Sequence, residues 1–225
     1  TVPMLKTYRQ KNYVERKPHA FRESFARIGK TFLNVRKEKK IFLFLLAFFF
    51  YIDGVYTIID MATAYGSALG LDSTGLLLAL LVTQIVAFPC AILFGRLARR
   101  FRTEHLITVC VVAYIGIALF ACVLRTQTQF WILAIFVGMF QGGIQALSRS
   151  YYAKIIPAEQ SGEYFGLLDI CGKGASFIGT AIVSVVSQLT GDINKGVAMI
   201  VVLFVVGVVL FRIAVTCVQK NKIES

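Results

Sequence analysis

Residues 41–65 read IFLFLLAFFFYIDGVYTIIDMATAY, and this stretch is long and apolar enough to decide the class of fold. About 20 apolar residues suffice for a helix to cross about 30 Å of hydrocarbon. Five further stretches of similar length and composition follow, at 75–95, 105–124, 130–148, 163–188 and 196–217. Because backbone groups in lipid must be hydrogen-bonded within their own segment, each stretch is predicted to be a transmembrane helix. The expected fold is an all-α integral membrane protein with a bundle of six transmembrane helices, numbered 1 to 6 below.

The overall composition supports a membrane protein. Of the 225 residues, 57% are hydrophobic and 16% are charged, against about 45–50% and about 25% in a typical soluble domain. The mean hydropathy is +0.71. A net charge of +12 would indicate nucleic-acid binding in a soluble protein. Here most basic residues lie between apolar stretches or ahead of the first, which is typical of membrane loops and excludes nucleic acid as the expected partner.

The first forty residues form a basic segment with its own pattern. It holds twelve Lys and Arg residues and three Glu residues. Five apolar residues recur at spacings of four, three, four and three, which places them on one helical face: Phe21, Phe25, Ile28, Phe32 and Val35. Such a helix either lies in the lipid headgroup layer or is a solvated tether between membrane segments. We divide the chain into a basic amphipathic arm or linker (1–40), a transmembrane domain (41–217) and a cytoplasmic tail (218–225).

The distribution of basic residues predicts the orientation in the membrane. Twenty Lys and Arg residues lie in the arm, the tail and the loops 96–104 and 149–162. The alternate loops, 66–74, 125–129 and 189–195, hold only two, Arg125 and Lys195. Basic loops stay on the cytoplasmic side, so both termini are predicted to be cytoplasmic.

Helix 1 carries two carboxylates inside an apolar stretch. Asp53 and Asp60 are seven residues apart and so share a face, and Tyr56 lies between them. A carboxylate in a transmembrane helix costs about 2.5–3.5 kcal/mol on insertion scales, unless it is paired, protonated or in contact with water. The pattern indicates a coupling-ion, proton or substrate site, or else a structural ion pair or a helix end close to the interface.

Helix 5 carries a pair of opposite charges and a stripe of hydroxyl residues. Asp169 and Lys173 have the i,i+4 spacing of an ion pair on one face. The stripe continues along the same face through Ser176, Thr180, Ser184 and Ser187. It suits either a water-lined pathway for solute or ion, or close packing against another helix.

Helix 4 combines glycines and glutamines. Gly138 and Gly142 permit close approach of a neighbouring helix, whereas Gln141 and Gln145 can hydrogen-bond a polar substrate or another helix. Helices 3 and 6 are almost wholly apolar, so we expect them to contact lipid and expect helices 1, 4 and 5 to face a protein interior or cavity. Catalytic and metal-binding motifs are missing and the five cysteines lie in apolar stretches, so neither an enzyme nor a cofactor is expected.

Two levels of resemblance extend this interpretation. Residues 95–102, GRLARRFR, resemble the Gly-x-Leu-Ala-Asp-Arg-x-Gly loop of the major facilitator superfamily. Arg99 replaces the Asp of that loop, so the role of the acidic residue is not carried over. Three blocks resemble the carboxy-terminal half of the facilitator family related to the yeast autophagy-linked vacuolar amino-acid effluxer: 51–58 (YIDGVYTI), 142–150 (GGIQALSRS) and 163–167 (EYFGL) followed by Gly172 and Lys173.

This resemblance implies a function and a set of site residues. The chain would be one half of a major facilitator fold, completed by a missing amino-terminal six-helix half or a second copy, in a bacterial plasma membrane. It would transport a small polar solute such as an amino acid by alternating access, with or without proton coupling. Substrate or ion contacts are expected at Asp53, Tyr56, Asp60, Gln141, Gln145, Asp169 and Lys173, and a cytoplasmic gate at Arg100 and Arg149. The alternative is a non-transporting scaffold or sensor whose arm binds lipid or a partner.

Overall fold

Six long helices make up nearly all of the chain that the computed structural model describes, residues 35–36 and 38–223. They are α1 (Lys39–Ala68), α2 (Ser73–Arg100), α3 (Thr103–Cys122), α4 (Gln127–Ile155), α5 (Ser161–Thr190) and α6 (Ile193–Ile223), with a 3₁₀ turn at Ala158–Gln160. Each is long and apolar enough to cross a membrane. The six predicted spans are therefore confirmed. The amphipathic pattern of the arm lies almost wholly outside the described residues.

The helices extend beyond the apolar stretches, and polar side chains cap the starts of two of them, α2 and α4. The backbone N–H of Gly75 donates to Oδ2 of Asp72 at 2.7 Å, which satisfies one free donor at the start of α2. Thr126 and Gln129 form a capping box at the start of α4. Gly191 adopts a left-handed conformation, with φ of 66°, and ends α5. Hydropathy alone detects the apolar middle of each helix and misses these ends.

The six helices pack as two related triplets. The main helix pairs are α2 with α4, α1 with α6, α1 with α5, α3 with α6, α5 with α6 and α3 with α4. Exchanging α1 with α4, α2 with α5 and α3 with α6 converts the α1–α5 pair into α4–α2 and the α1–α6 pair into α4–α3. The α5–α6 pair has no equally close α2–α3 counterpart, so the contacts follow a 3+3 arrangement for the pairs formed by α1 and α4 and depart from it at α5–α6.

Glycines bring several of these helices into close contact. A methyl group added at Gly138 would lie 2.6 Å from the carbonyl oxygen of Thr83, and one at Gly142 would lie 2.7 Å from that of Ala87. The predicted role of these two glycines in close helix packing is confirmed, with α2 as the neighbour. Pro89 lies within α2, which continues through it to Arg100.

Burial ranks the helices differently from their polarity. Within this chain α1 is the most covered, with 61% of its span buried, whereas α2 and α5 are the least covered, at 22% each. The apolar helices α3 and α6 are intermediate, at 44% and 39%. Burial within this chain does not test the expectation that helices 3 and 6 contact lipid and that helices 1, 4 and 5 face a protein interior or cavity, so that expectation stays a prediction. An apolar surface packs against other helices as readily as against lipid, so composition alone does not separate the two.

One end of the bundle, called the basic end below, gathers the start of α1, the ends of α2 and α4, and the starts of α3 and α5. The Nζ of Lys154 donates to Oγ1 of Thr103 at 2.9 Å, which joins α4 to α3 there. The hydroxyl of Tyr152 donates to the carbonyl oxygen of Tyr164 at 3.2 Å and joins α4 to α5. At the opposite end, Tyr65 of α1 contacts Ala121 of α3 and Asn194 of α6.

Candidate functional site

A cavity of about 70 Å³ lies between α1, α4 and α5 and is lined mainly by polar and charged residues. Five residues that the sequence indicated as functional line it: Tyr56, Gln145, Arg149, Asp169 and Lys173. Its remaining lining residues are Phe48, Leu168 and Gly172. The three helices thus bring together groups that are far apart in the sequence, four of them within the predicted spans and Arg149 one residue beyond, where α4 continues to Ile155.

The ion pair in this cavity differs from the predicted one. Nη2 of Arg149 lies 2.5 Å from Oδ1 of Asp169, so the pair joins α4 to α5. The expectation of an Asp169–Lys173 pair within α5 is therefore wrong. The i,i+4 spacing places two side chains on one face, but a long guanidinium from the neighbouring helix reaches the carboxylate directly. Both partners are about half exposed, at 56% and 44%.

Asp53 lies elsewhere, in the contact between α1 and α5. Its side chain is completely buried, and Oδ1 accepts a hydrogen bond of 2.9 Å from the backbone N–H of Gly179. Its other oxygen, Oδ2, has no hydrogen-bond partner among the described residues. Thr57, one turn further along α1, is equally buried against Gly179. In the described part of the chain no cationic side chain forms an ion pair with Asp53.

Three further predicted site residues, besides Asp53, lie outside the cavity lining. Asp60 is exposed one turn beyond Tyr56, so the two carboxylates of α1 have different surroundings. Gln141 is half-buried, and its buried Oε1 has no hydrogen-bond partner among the described residues. Arg100 is exposed at the end of α2. Arg149, its predicted companion at a gate, lines the cavity, and the gate itself stays a prediction.

Two contacts near the cavity were not predicted. The hydroxyl of Tyr51 donates to Oγ of Ser148 at 2.7 Å. The hydroxyl of Ser148 in turn donates to the carbonyl oxygen of Ile144 at 2.6 Å. Tyr51 and Ser148 are both fully buried, one turn from Phe48 and Gln145 of the cavity wall. Helical spacing could have indicated Ser148, because it follows Gln141 and Gln145 at i+7 and i+3 and so lies on the same face of α4.

A second cavity, of about 50 Å³, has the opposite character. It lies between α1, α2, α3, α4 and α6, and its lining is almost entirely aliphatic and aromatic, with Thr83 and Gln84 among the few polar members. The hydroxyl of Thr83 is already within hydrogen-bonding distance of the carbonyl oxygens of Ala79 and Ala134. Such a cavity offers nothing to a charged solute, so the α1–α4–α5 cavity is the better candidate site.

The comparison with protein families identifies this architecture. The family model described as "Vacuole effluxer Atg22 like" matches residues 1–224. The chain belongs to the Atg22-like family. This membership confirms the family that the three sequence blocks indicated, and together with the six apolar helices it makes the chain an integral membrane protein with the fold of one major facilitator half.

Individual Atg22-like relatives add two facts. An uncharacterised MFS-type transporter, YxiO of Bacillus subtilis, is 47% identical over 210 residues, covering 93% of this chain and 49% of the relative. Autophagy-related protein 22 of Cryptococcus neoformans is 29% identical over 223 residues, covering 90% of this chain and 39% of the relative. The similarity thus extends from bacteria to fungi, and the chain spans half or less of the length of these relatives.

Proposed function

We propose that the chain is the carboxy-terminal half of a secondary active transporter that moves a small polar solute by alternating access. The observation that carries the proposal is the charged cavity between α1, α4 and α5, because ionisable groups inside a membrane bundle mark solute and ion pathways. The sparse coverage of α2 and α5 supports a second six-helix body against this chain. That body would be an amino-terminal half or a second copy, and in facilitator-type transporters the site lies between two such bodies.

Within this proposal the arm (1–40) is the linker between the halves, and residues 218–225 form a tail. Both termini lie on the cytoplasmic side of a bacterial plasma membrane, as the basic loops indicate. The cavity residues contact the solute, with Gln141 and Asp60 completing the pathway outside the present lining. Arg149 and Arg100 act nearer the basic end. Amino acids are the first class of solute to test, because the three sequence blocks resemble the family related to a vacuolar amino-acid effluxer.

Asp53 is the proposed coupling residue. A carboxylate buried without a cationic partner carries a desolvation cost as an anion that it avoids as the neutral acid. A change of conformation that admits water to the α1–α5 contact would let it release its proton. Asp53 therefore fits a group that binds a proton on one side of the membrane and releases it on the other.

We predict that Asp53→Asn abolishes or uncouples uptake by the complete protein in proteoliposomes. The asparagine keeps an oxygen that accepts from the N–H of Gly179, so the variant is expected to fold. The measurement is uptake of radiolabelled amino acids with and without an imposed pH gradient, alongside thermal unfolding of both proteins. Wild-type transport by the variant across a range of pH would exclude proton coupling through Asp53.

Binding tests separate a transporter from a scaffold or sensor. A solute that binds only the folded state raises the unfolding temperature of the purified complete protein. We expect at least one member of a panel of amino acids and small metabolites to do so. A response to none of them, with no uptake, would favour the scaffold.

A further inference from the structure

Lys173 is the unusual charge in the α1–α4–α5 cavity. It lies twelve residues after the start of α5, about 18 Å along the helix at 1.5 Å per residue, and its side chain is exposed within this chain. The carboxylate expected to neutralise it, Asp169, is bound by Arg149. Within the described residues Lys173 therefore has no carboxylate partner, although it lines the same cavity.

The cavity as a whole carries an excess of positive charge. Its lining includes two cations, Arg149 and Lys173, and one carboxylate, Asp169. The other polar groups, the hydroxyl of Tyr56 and the amide of Gln145, are neutral and can donate hydrogen bonds. An ammonium group at this depth is costly unless an anion or water meets it. The described lining thus offers a charged donor and two neutral donors, and its own carboxylate is already paired.

We propose that Lys173, with Gln145 and Tyr56, forms a subsite for a small oxyanion, the carboxylate of the solute. The inference rests on the proposed function only for the statement that this anion belongs to a transported solute. Arg149 then has a different role: it holds α4 against α5 through Asp169 and leaves Lys173 available. A carboxylate suits this arrangement because its two oxygens accept from the ammonium and from the neutral donors together.

The test compares two probes of almost equal shape, acetate and acetamide. Each is titrated into the purified complete protein at constant ionic strength, and the unfolding temperature is followed. We expect acetate to stabilise the wild type and acetamide to have little effect. In Lys173→Met the apparent affinity for acetate should fall about tenfold or more, the range expected for loss of a charged hydrogen bond. Inorganic phosphate, titrated in parallel, distinguishes a carboxylate subsite from a phosphate subsite.

Two variants serve as controls. Lys173→Arg keeps the charge and should keep the response to acetate. Lys195→Met removes the same charge from an exposed position at the start of α6, at the opposite end of the bundle, and should leave the response unchanged. Lower stability of Lys173→Met without ligand, combined with an unchanged response to acetate, would assign Lys173 to a structural ion pair and overturn the subsite.

Three other results would also overturn the carboxylate subsite. They are an equal response to acetate and acetamide, no response of the wild type to acetate, and a stronger response to phosphate than to acetate. None of these results bears on uptake, which is measured separately in proteoliposomes. Uptake of solutes without a carboxylate would leave the transporter standing and remove the subsite. Acetate binding through Lys173 without any uptake would leave the subsite standing and remove the transporter.

Discussion

Gly179 lets α1 and α5 meet at the one point where α1 buries a carboxylate. A methyl group added there would lie 2.9 Å from Oδ1 of Asp53 and closer still to Oγ1 of Thr57. The backbone N–H of Gly179 also donates a hydrogen bond to Oδ1 of Asp53. A residue with no side chain thus provides both the space and a hydrogen-bond donor that a buried acid needs.

We predict that Gly179→Ala lowers the free energy of unfolding by about 1–3 kcal/mol, the usual cost of overpacking a tight contact. Thermal unfolding in detergent measures the change. Gly174→Ala on the same helix is the matched control, because nothing lies within 4 Å of the added methyl group. Thr57→Ala combined with Gly179→Ala should recover part of the loss. Equal stability of the Gly179 and Gly174 variants would contradict the proposed crowding.

Single residues also show how far the sequence could predict the site. The sequence indicated Tyr56, Gln145, Asp169 and Lys173 because polar groups are rare in apolar helices, and the structure brings these four into one cavity. It could not indicate the partner of Asp169, since spacing reports neighbours on one helix and Arg149 lies on another. Whether these residues bind solute remains a prediction.

At the scale of helices, Tyr65 links three helices at the end of the bundle opposite the basic end. The hydroxyl of Tyr65 lies 2.5 Å from the carbonyl oxygen of Ala121 and 2.7 Å from Oδ1 of Asn194. It therefore connects the end of α1 to the end of α3 and the start of α6. The sequence placed these helix ends but gave no sign of this connection, which depends on how three helices meet in space.

We predict that Tyr65→Phe destabilises the bundle by about 1 kcal/mol through loss of the hydrogen bond that the single hydroxyl proton donates to these acceptors. Tyr114→Phe is a suitable comparison, because its hydroxyl is also buried but makes a single long bond of 3.4 Å to the carbonyl oxygen of Val137. The Tyr65 variant should therefore lose more stability than the Tyr114 variant in thermal unfolding. The reverse order would show that Tyr65 does not hold these ends together.

At the scale of the whole molecule, apolar length predicted all six helices and their order. It could predict them because lipid forces every span to be a helix of about the same length. Sidedness has a different origin, the placement of basic residues, which acts during insertion and leaves no trace in the packing. The fold and the orientation are therefore separate predictions, and only the first is confirmed.

We predict that a cysteine at Lys195 reacts with a membrane-impermeant maleimide in intact cells. A cysteine at Arg100, at the basic end, should react only after the membrane is made permeable. Both positions are exposed, whereas the five native cysteines are buried or half-buried. The unsubstituted protein measures background labelling. Labelling of the Arg100 position from outside would reverse the predicted orientation.

The contact between α1 and α6 has a consequence for how this family diverges. The ring of Phe204 of α6 occupies the space that a side chain at Gly54 would need, whereas the backbone and Cβ of Tyr51 of α1 occupy the space at Gly207. Each helix thus contributes one glycine to the contact, but only Gly54 faces an aromatic ring. A larger residue at position 54 is tolerated only if position 204 becomes smaller, whereas no smaller side chain at 51 makes room at 207, because the backbone there stays in place. Related sequences should therefore exchange volume between 54 and 204 and keep glycine at 207, so that α1 and α6 evolve as a single unit.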